Sequence, residues 1–173
     1  MAVKTLKDLF AHNLSDVYNA ERQLAKIVPK LIKSAEDEGL SELFQTQLED
    51  LQNTIEQLDR VFESCRIKLK RVKCAAMEGL IEESKEILEG MDEGPVRDAA
   101  LVGTAQKIAH YEIAALGTLA AFAVHLGFKE ASETLREVLE DKKESDQTFT
   151  TFAEESVNQD AEKEQEEEEE TEN

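Results

Sequence analysis

Apolar residues recur every three or four positions through four long stretches of this chain, and almost nothing interrupts them. Phe10, Leu14, Val17, Leu24, Val28 and Leu31 form the first run, and Phe44, Leu48, Leu51, Ile55, Leu58 and Phe62 the second. Leu101, Ala105, Ile108, Leu116, Leu119 and Ala123 form the third, and Ala131, Leu135, Val138, Leu139, Phe149 and Phe152 the fourth. Side chains return to one face of an α-helix every ~3.6 residues, so each run is the buried stripe of an amphipathic helix. With two prolines and seven glycines in 173 residues, a turn-rich β architecture lacks its punctuation. Tryptophan is absent and aromatics make up 5%, so Leu, Ile, Val and Ala must fill the interior.

The few breakers place the helix ends. Thr5-Leu6-Lys7-Asp8 reads as a cap opening the first helix. Pro29 lies inside the first stripe and predicts a kink rather than an end. Gly39 reads as the stop of that helix and Ser41 as the cap of the next. The second pattern fades at Ser64. Residues 65–94 then form a mixed connection: the basic run RIKLKRVK, a short helix over 77–88, and a turn at Gly90…Gly94-Pro95. Pro95 fits the first turn of the third helix, and Gly127 separates it from the fourth. After Asn158 no apolar period survives, which predicts a bundle over residues 1–158 and a disordered acidic tail over 159–173.

Loop lengths then restrict the topology. The first two helices are joined tightly, as are the last two, so each pair is an antiparallel hairpin. A connection of about 30 residues can run the length of a bundle. The predicted fold is an all-α, ferritin-like four-helix bundle with one long crossover carrying a short fifth helix.

Charge narrows the function. The net charge is −19, and residues 160–173 alone hold nine acids against one lysine. The remaining body is still acidic, which disfavours nucleic acid and anionic membranes as partners. The N-terminal MAVKTLKDLF lacks the apolar core of a signal peptide. The apolar stretch over residues 113–126, interrupted by His125, falls short of the ~20 residues a spanning helix needs. A cytoplasmic protein is expected. Cys65 and Cys74 have no Cys or His at zinc-ligand spacing and read as reduced thiols. No phosphate-binding loop, nucleophile elbow or dinucleotide glycine pattern occurs.

The informative residues are polar ones inside apolar stripes. Glu21 shares a face with Leu14, Val17 and Val28; Glu112 lies among Ala105, Ile108 and Leu119; Lys142 and Asp146 lie on the face of Leu135, Val138 and Phe149. Glu49 and Gln52 flank the stripe of the second helix. All sit near the midpoints of their helices, so antiparallel packing brings them to one level. Buried carboxylates cost several kcal/mol unless paired or bound to metal, so such a cluster needs a cation. His110 lies opposite Glu112 on its helix and reads as facing solvent or a partner, and His12 lies off its stripe. Tyr18 is one turn from Glu21 and within reach of a hydrogen bond to it, although an amphipathic core tyrosine is the simpler reading.

DLFAHNLSDVYNAERQL (8–24), KCAAMEGLIEE (73–83), VRDAALVGTAQKIAHYEIAALGTLA (96–120) and LGFKEASETL (126–135) resemble the YciE/YciF stress-induced ferritin-like family, in order and spacing. The resemblance implies a homodimeric helical protein of the stress response, akin to di-iron carboxylate proteins. It implies Glu21, Glu49, Glu112 and Asp146 as metal ligands. Three positions depart from that pattern. Gln52 stands in place of the His of an E-x-x-H, Ala109 in place of an acid before HYE, and Lys142 in place of a Glu. A protonated lysine has no lone pair with which to ligate a metal. The expectation is therefore a degenerate site: no metal or one weakly held iron or manganese ion, or an internal salt-bridge network with a protonated acid. That predicts a structural or interaction role. The alternative is an iron- or manganese-dependent oxidase or peroxidase using the mid-bundle carboxylates.

Overall fold

A computed structural model describes residues 3–171. Helix α1 spans Leu6–Ser34, α2 Glu38–Ser64, α3 Ala75–Gly90, α4 Pro95–His125 and α5 Lys129–Phe152. A π-helical turn over Ala153–Val157 then leads into α6, Asn158–Thr171. Helix α1 packs on α2 and α4, and α5 on α4 and α2, which closes a four-helix bundle. Helix α3 lies outside, against α1 and α4, as the helical part of the crossover. This is the predicted fold class.

Local chemistry sets most of the ends. Thr5 Oγ1 accepts from Asp8 N at 3.0 Å and Asp8 Oδ2 accepts from Thr5 N at 3.1 Å, a complete capping box. Helix α1 continues through Pro29. Gly127 adopts a left-handed φ of 73°. That turn lets Phe128 N bond to Ala123 O at 2.9 Å and Gly127 N to Val124 O at 3.1 Å, closing α4.

The α1–α2 turn differs from the expected one. Helix α1 ends at Ser34, five residues before Gly39, and Asp37 rather than Ser41 caps α2. The cause is distant in sequence. The buried Asp98 of α4 accepts from Glu36 N at 3.1 Å and Asp37 N at 2.7 Å, and Arg97 Nη2 donates to Ser34 O at 2.9 Å. Two α4 side chains hold the chain open where no local breaker stands.

The segment expected to be disordered from residue 159 is helical to Thr171, and residues 172–173 lie outside the described region. Glutamate is a good helix former, so helix can persist there without an apolar stripe. The start of α6 also packs on α4, with Glu164 lying over Gly94. Helix α4 is long and apolar enough to cross a bilayer by length and composition alone. Here it is the central helix, packed by α1, α3, α5 and α6.

The core falls into two apolar halves. Leu24, Val28, Phe44, Leu51, Ile108 and Phe149 belong to one, and Leu14, Val17, Leu58, Leu116, Leu135 and Val138 to the other. Along each helix of the bundle, the break between the halves falls at the same height.

Candidate functional site

A polar layer occupies that break. Glu21 lies between Val17 and Leu24 on α1, Glu112 between Ile108 and Leu116 on α4, and Lys142 between Val138 and Phe149 on α5. Their relative exposures are 0%, 1% and 6%, so water scarcely reaches any of them. Lys142 Nζ donates to Glu21 Oε2 at 3.0 Å and to Glu112 Oε1 at 2.8 Å. One ammonium thus ties three helices together at mid-height.

The electrostatics follow from burial. Desolvation penalises the Glu21 carboxylate first, and the neighbouring Glu112 charge adds to it. Lys142 only partly offsets the two, and the Glu21 pKa is pushed up to about 8. Burial opposes the charge on Lys142 as well, but the Glu112 and Glu21 carboxylates outweigh it and hold the ammonium above its ordinary pKa. Glu21 Oε1 has no hydrogen-bond partner. With a proton on Glu21, the ammonium and the remaining carboxylate leave the cluster electrically neutral. That is the inexpensive arrangement in an apolar core.

Helix α2 contributes differently from expectation. Glu49 and Gln52 are exposed on α2, so neither reaches the centre. The α2 stripe runs through Gln47, Leu51, Thr54 and Leu58, and Thr54 is buried beside the cluster. A cavity of about 20 Å³ lined by Gln47, Asp50, Thr54, Glu112 and Lys142 lies there. Sequence reasoning passed over Thr54, although its spacing from Leu51 and Leu58 puts it on the inward face. Asp146 also lies apart. It is partly exposed, its Oδ2 lies 3.3 Å from His110 Nε2, and its Oδ1 is buried without a partner. Tyr18 turns from Glu21 and donates to Asp59 Oδ2 at 3.3 Å. His110 is exposed.

Of the four carboxylates named as ligands, the fold brings together Glu21 and Glu112, and separates Glu49 and Asp146 from them. Among the described residues, no group of three or more His, Cys, Asp or Glu side chains is placed to hold a metal ion. The donor set does not fit a two-metal centre, because an ammonium, with hydrogens rather than lone pairs, holds the position between the two buried carboxylates.

A second polar cluster joins the crossover to the bundle. Cys74 caps α3, and its Sγ lies 2.9 Å from Tyr111 Oη, which donates to Asp16 Oδ2 at 3.0 Å. Asn19 Oδ1 accepts from Cys74 N at 2.9 Å. Burial pushes the Cys74 thiol pKa up, so it is a poor nucleophile. Cys65 and Cys74 are both free and buried.

Residues 5–162 match the family model described as Domain of unknown function (DUF892). Protein YciF of Escherichia coli (strain K12) is 47% identical over 163 residues, covering 94% of this chain and 98% of that protein. The crystal structure of the E. coli stress protein YciF superposes with a TM-score of 0.87, covering 90% of this chain and 99% of that one. YcfI of Rhodopseudomonas palustris follows with a TM-score of 0.83 at 39% identity, covering 86% of this chain and 95% of that one. A two-domain Anabaena variabilis protein with a ferritin-like domain matches in fold alone, at 17% identity and a TM-score of 0.58, covering 90% of this chain and 38% of that one.

Proposed function

The chain belongs to the DUF892 family, with YciF among its relatives, and on that premise we propose that it is a stress-associated structural or interaction protein whose central site holds a lysine in place of metal. The observation that carries this reading is the Lys142 ammonium bridging Glu21 and Glu112. In a carboxylate bundle the metal supplies positive charge and ties helices together. Lys142 performs both tasks from within the chain. It brings no redox couple, so the cluster fixes helix register and specifies a single packing of the core. The exposed Glu49 and the His110-paired Asp146 support the same reading, since neither faces the ammonium.

Metal analysis of full-length protein produced in medium supplemented with iron and manganese tests the proposal. The expected content is well below one ion per chain, with no consumption of added peroxide. Two bound ions per chain, lost in a Glu21→Gln, Glu112→Gln variant, overturn it.

A further inference from the structure

Helices α2 and α5 meet along a furrow whose acids have no cation of their own. Its first hollow, of about 260 Å³, presents Gln47, Asp50, Asp141 and Glu144 over a floor of Leu43 and Phe149. A second, of about 510 Å³, shares Leu43 and Thr148 with the first and continues past Phe152 to Glu155 and Ser156 of the π-helical turn. Together they follow α5 and that turn from Asp141 to Ser156, roughly 22 Å of helix.

Asp50, Asp141, Glu144 and Glu155 make no ion pair among the described residues, and the lysines beside them are taken. Lys143 Nζ lies 2.8 Å from Glu140 Oε1, and Lys142 is held by Glu21 and Glu112. Partial burial raises the Asp50 pKa, Lys142 draws it back, and the Asp141 charge from the facing helix raises it again. The furrow acids thus repel one another. Gln47 is 7% exposed and lines the first hollow, yet its side chain makes no hydrogen bond among the described residues. A buried amide without a partner costs free energy that a donor in the furrow recovers. Acids, an unpaired amide and an apolar floor in one furrow suit a cation that carries both N–H donors and methylene groups. A bare divalent ion suits it poorly. Such an ion needs several converging oxygens, and among the described residues no three acidic, His or Cys side chains are placed to hold one.

We propose that the α2–α5 furrow binds a linear aliphatic polyamine. Asp50, Asp141, Glu144 and Glu155 hold its ammonium groups, the Gln47 amide oxygen accepts from one of them, and its methylene chain lies on Leu43 and Phe152.

Isothermal titration calorimetry of the full-length chain with spermine, a linear tetraamine, tests it. The titration is run at about 100 mM NaCl, where exposed charges more than ~10 Å apart are largely screened. One saturable site per chain is expected. The furrow variant Asp50→Asn, Asp141→Asn, Glu144→Gln should weaken it about tenfold or more, with circular dichroism checking that helix content is retained. A tail variant removes more charge outside the furrow (Glu166→Gln, Glu167→Gln, Glu168→Gln, Glu169→Gln, Glu170→Gln) and should change the affinity by less than about twofold. Gln47→Ala, which leaves the charge unaltered, should weaken spermine by about threefold or more. Putrescine, a short diamine with fewer ammonium and methylene groups, should bind at least about tenfold more weakly than spermine. A furrow variant that binds spermine as the native chain does overturns the proposal. So does an equal loss in the tail variant, which marks attraction to net charge alone. Displacement of spermine by an equal concentration of magnesium at constant ionic strength also overturns it and assigns the furrow to a metal ion.

Discussion

Lys142 Nζ lies 2.8 Å from Glu112 Oε1 in the dry interior of the bundle, and the same ammonium reaches Glu21 Oε2 at 3.0 Å. An ion pair in such surroundings gives little net stability over apolar packing, but breaking it leaves a charge that nothing solvates. Lys142→Met should therefore lower unfolding stability by about 3–5 kcal/mol. The triple variant Lys142→Met, Glu21→Gln, Glu112→Gln should recover most of that loss, because no uncompensated charge is left. Urea denaturation of the two proteins at neutral pH checks the difference. A triple variant no more stable than the single one contradicts the electrostatic account.

Stability should also depend on pH through Glu21. Its folded pKa of about 8 stands above its ordinary value of 4.5, so the native protein binds the proton more tightly than the unfolded chain. The contribution is complete below about pH 4.5, declines as the pH rises toward 8, and is lost above it. The charged groups facing Glu21 are Glu112 on α4 and Lys142 on α5. The raised Lys142 pKa acts only above 10.5 and does not disturb this window. Between pH 5.5 and 8 the native protein should lose roughly 1.4 kcal/mol per pH unit at the steepest point. In Glu21→Gln that component of the slope should vanish, leaving only the general repulsion of an acidic chain. Denaturant midpoints measured across the range in both proteins decide it.

The sequence showed the bundle and the centre of its site because both are written in helical periodicity. Glu21, Glu112 and Lys142 interrupt stripes that are otherwise apolar, and antiparallel packing of helices of known length must bring such interruptions together. Helix α2 was misread because Glu49 and Gln52 only flank its stripe. Thr54 is inward, whereas Asn53, about 100° round the helix from it, and Gln52, about 200° round, are exposed. Asp146 was placed by the face it shares with Leu135, Val138 and Phe149. Its partner, His110, is on the neighbouring helix. The α1–α2 turn was misplaced for a different reason: its determinants, Arg97 and Asp98, lie more than 60 residues away and leave no local signal.

Converting the internal cation to a carboxylate should create the metal site that the native donor set does not form. Lys142→Glu places a third carboxylate beside Glu21 and Glu112, a cluster of like charges that a divalent ion relieves. Manganese at 100 times its dissociation constant would add about 2.7 kcal/mol to the variant's stability. Its melting temperature should then rise by roughly 5–11 °C with added manganese, while the native protein's does not move. Adding Gln52→His should bring no further gain, because residue 52 is exposed on α2. A gain in metal response specific to the histidine would mean that α2 is rotated from the register described.

Asp98 gives the last prediction, because it does work usually left to local capping. It is 1% exposed, and its carboxylate accepts from the otherwise unpaired amides of Glu36 and Asp37 between α1 and α2. Asp37 in turn caps α2 by accepting from Leu40 N at 3.0 Å, so the cap depends on a side chain from another helix. Asp98→Ala removes the acceptor and leaves two amides without a partner. The expected cost is about 2–3 kcal/mol, and Asp98→Asn, which keeps one oxygen, should lose roughly half as much. Hydrogen exchange separates this from a general loss of stability. In Asp98→Ala the Glu36 and Asp37 amides should exchange faster by a larger factor than the α5 amides around Val138. Equal acceleration at both places would show that Asp98 is merely one more buried group, and that the turn is held by other contacts.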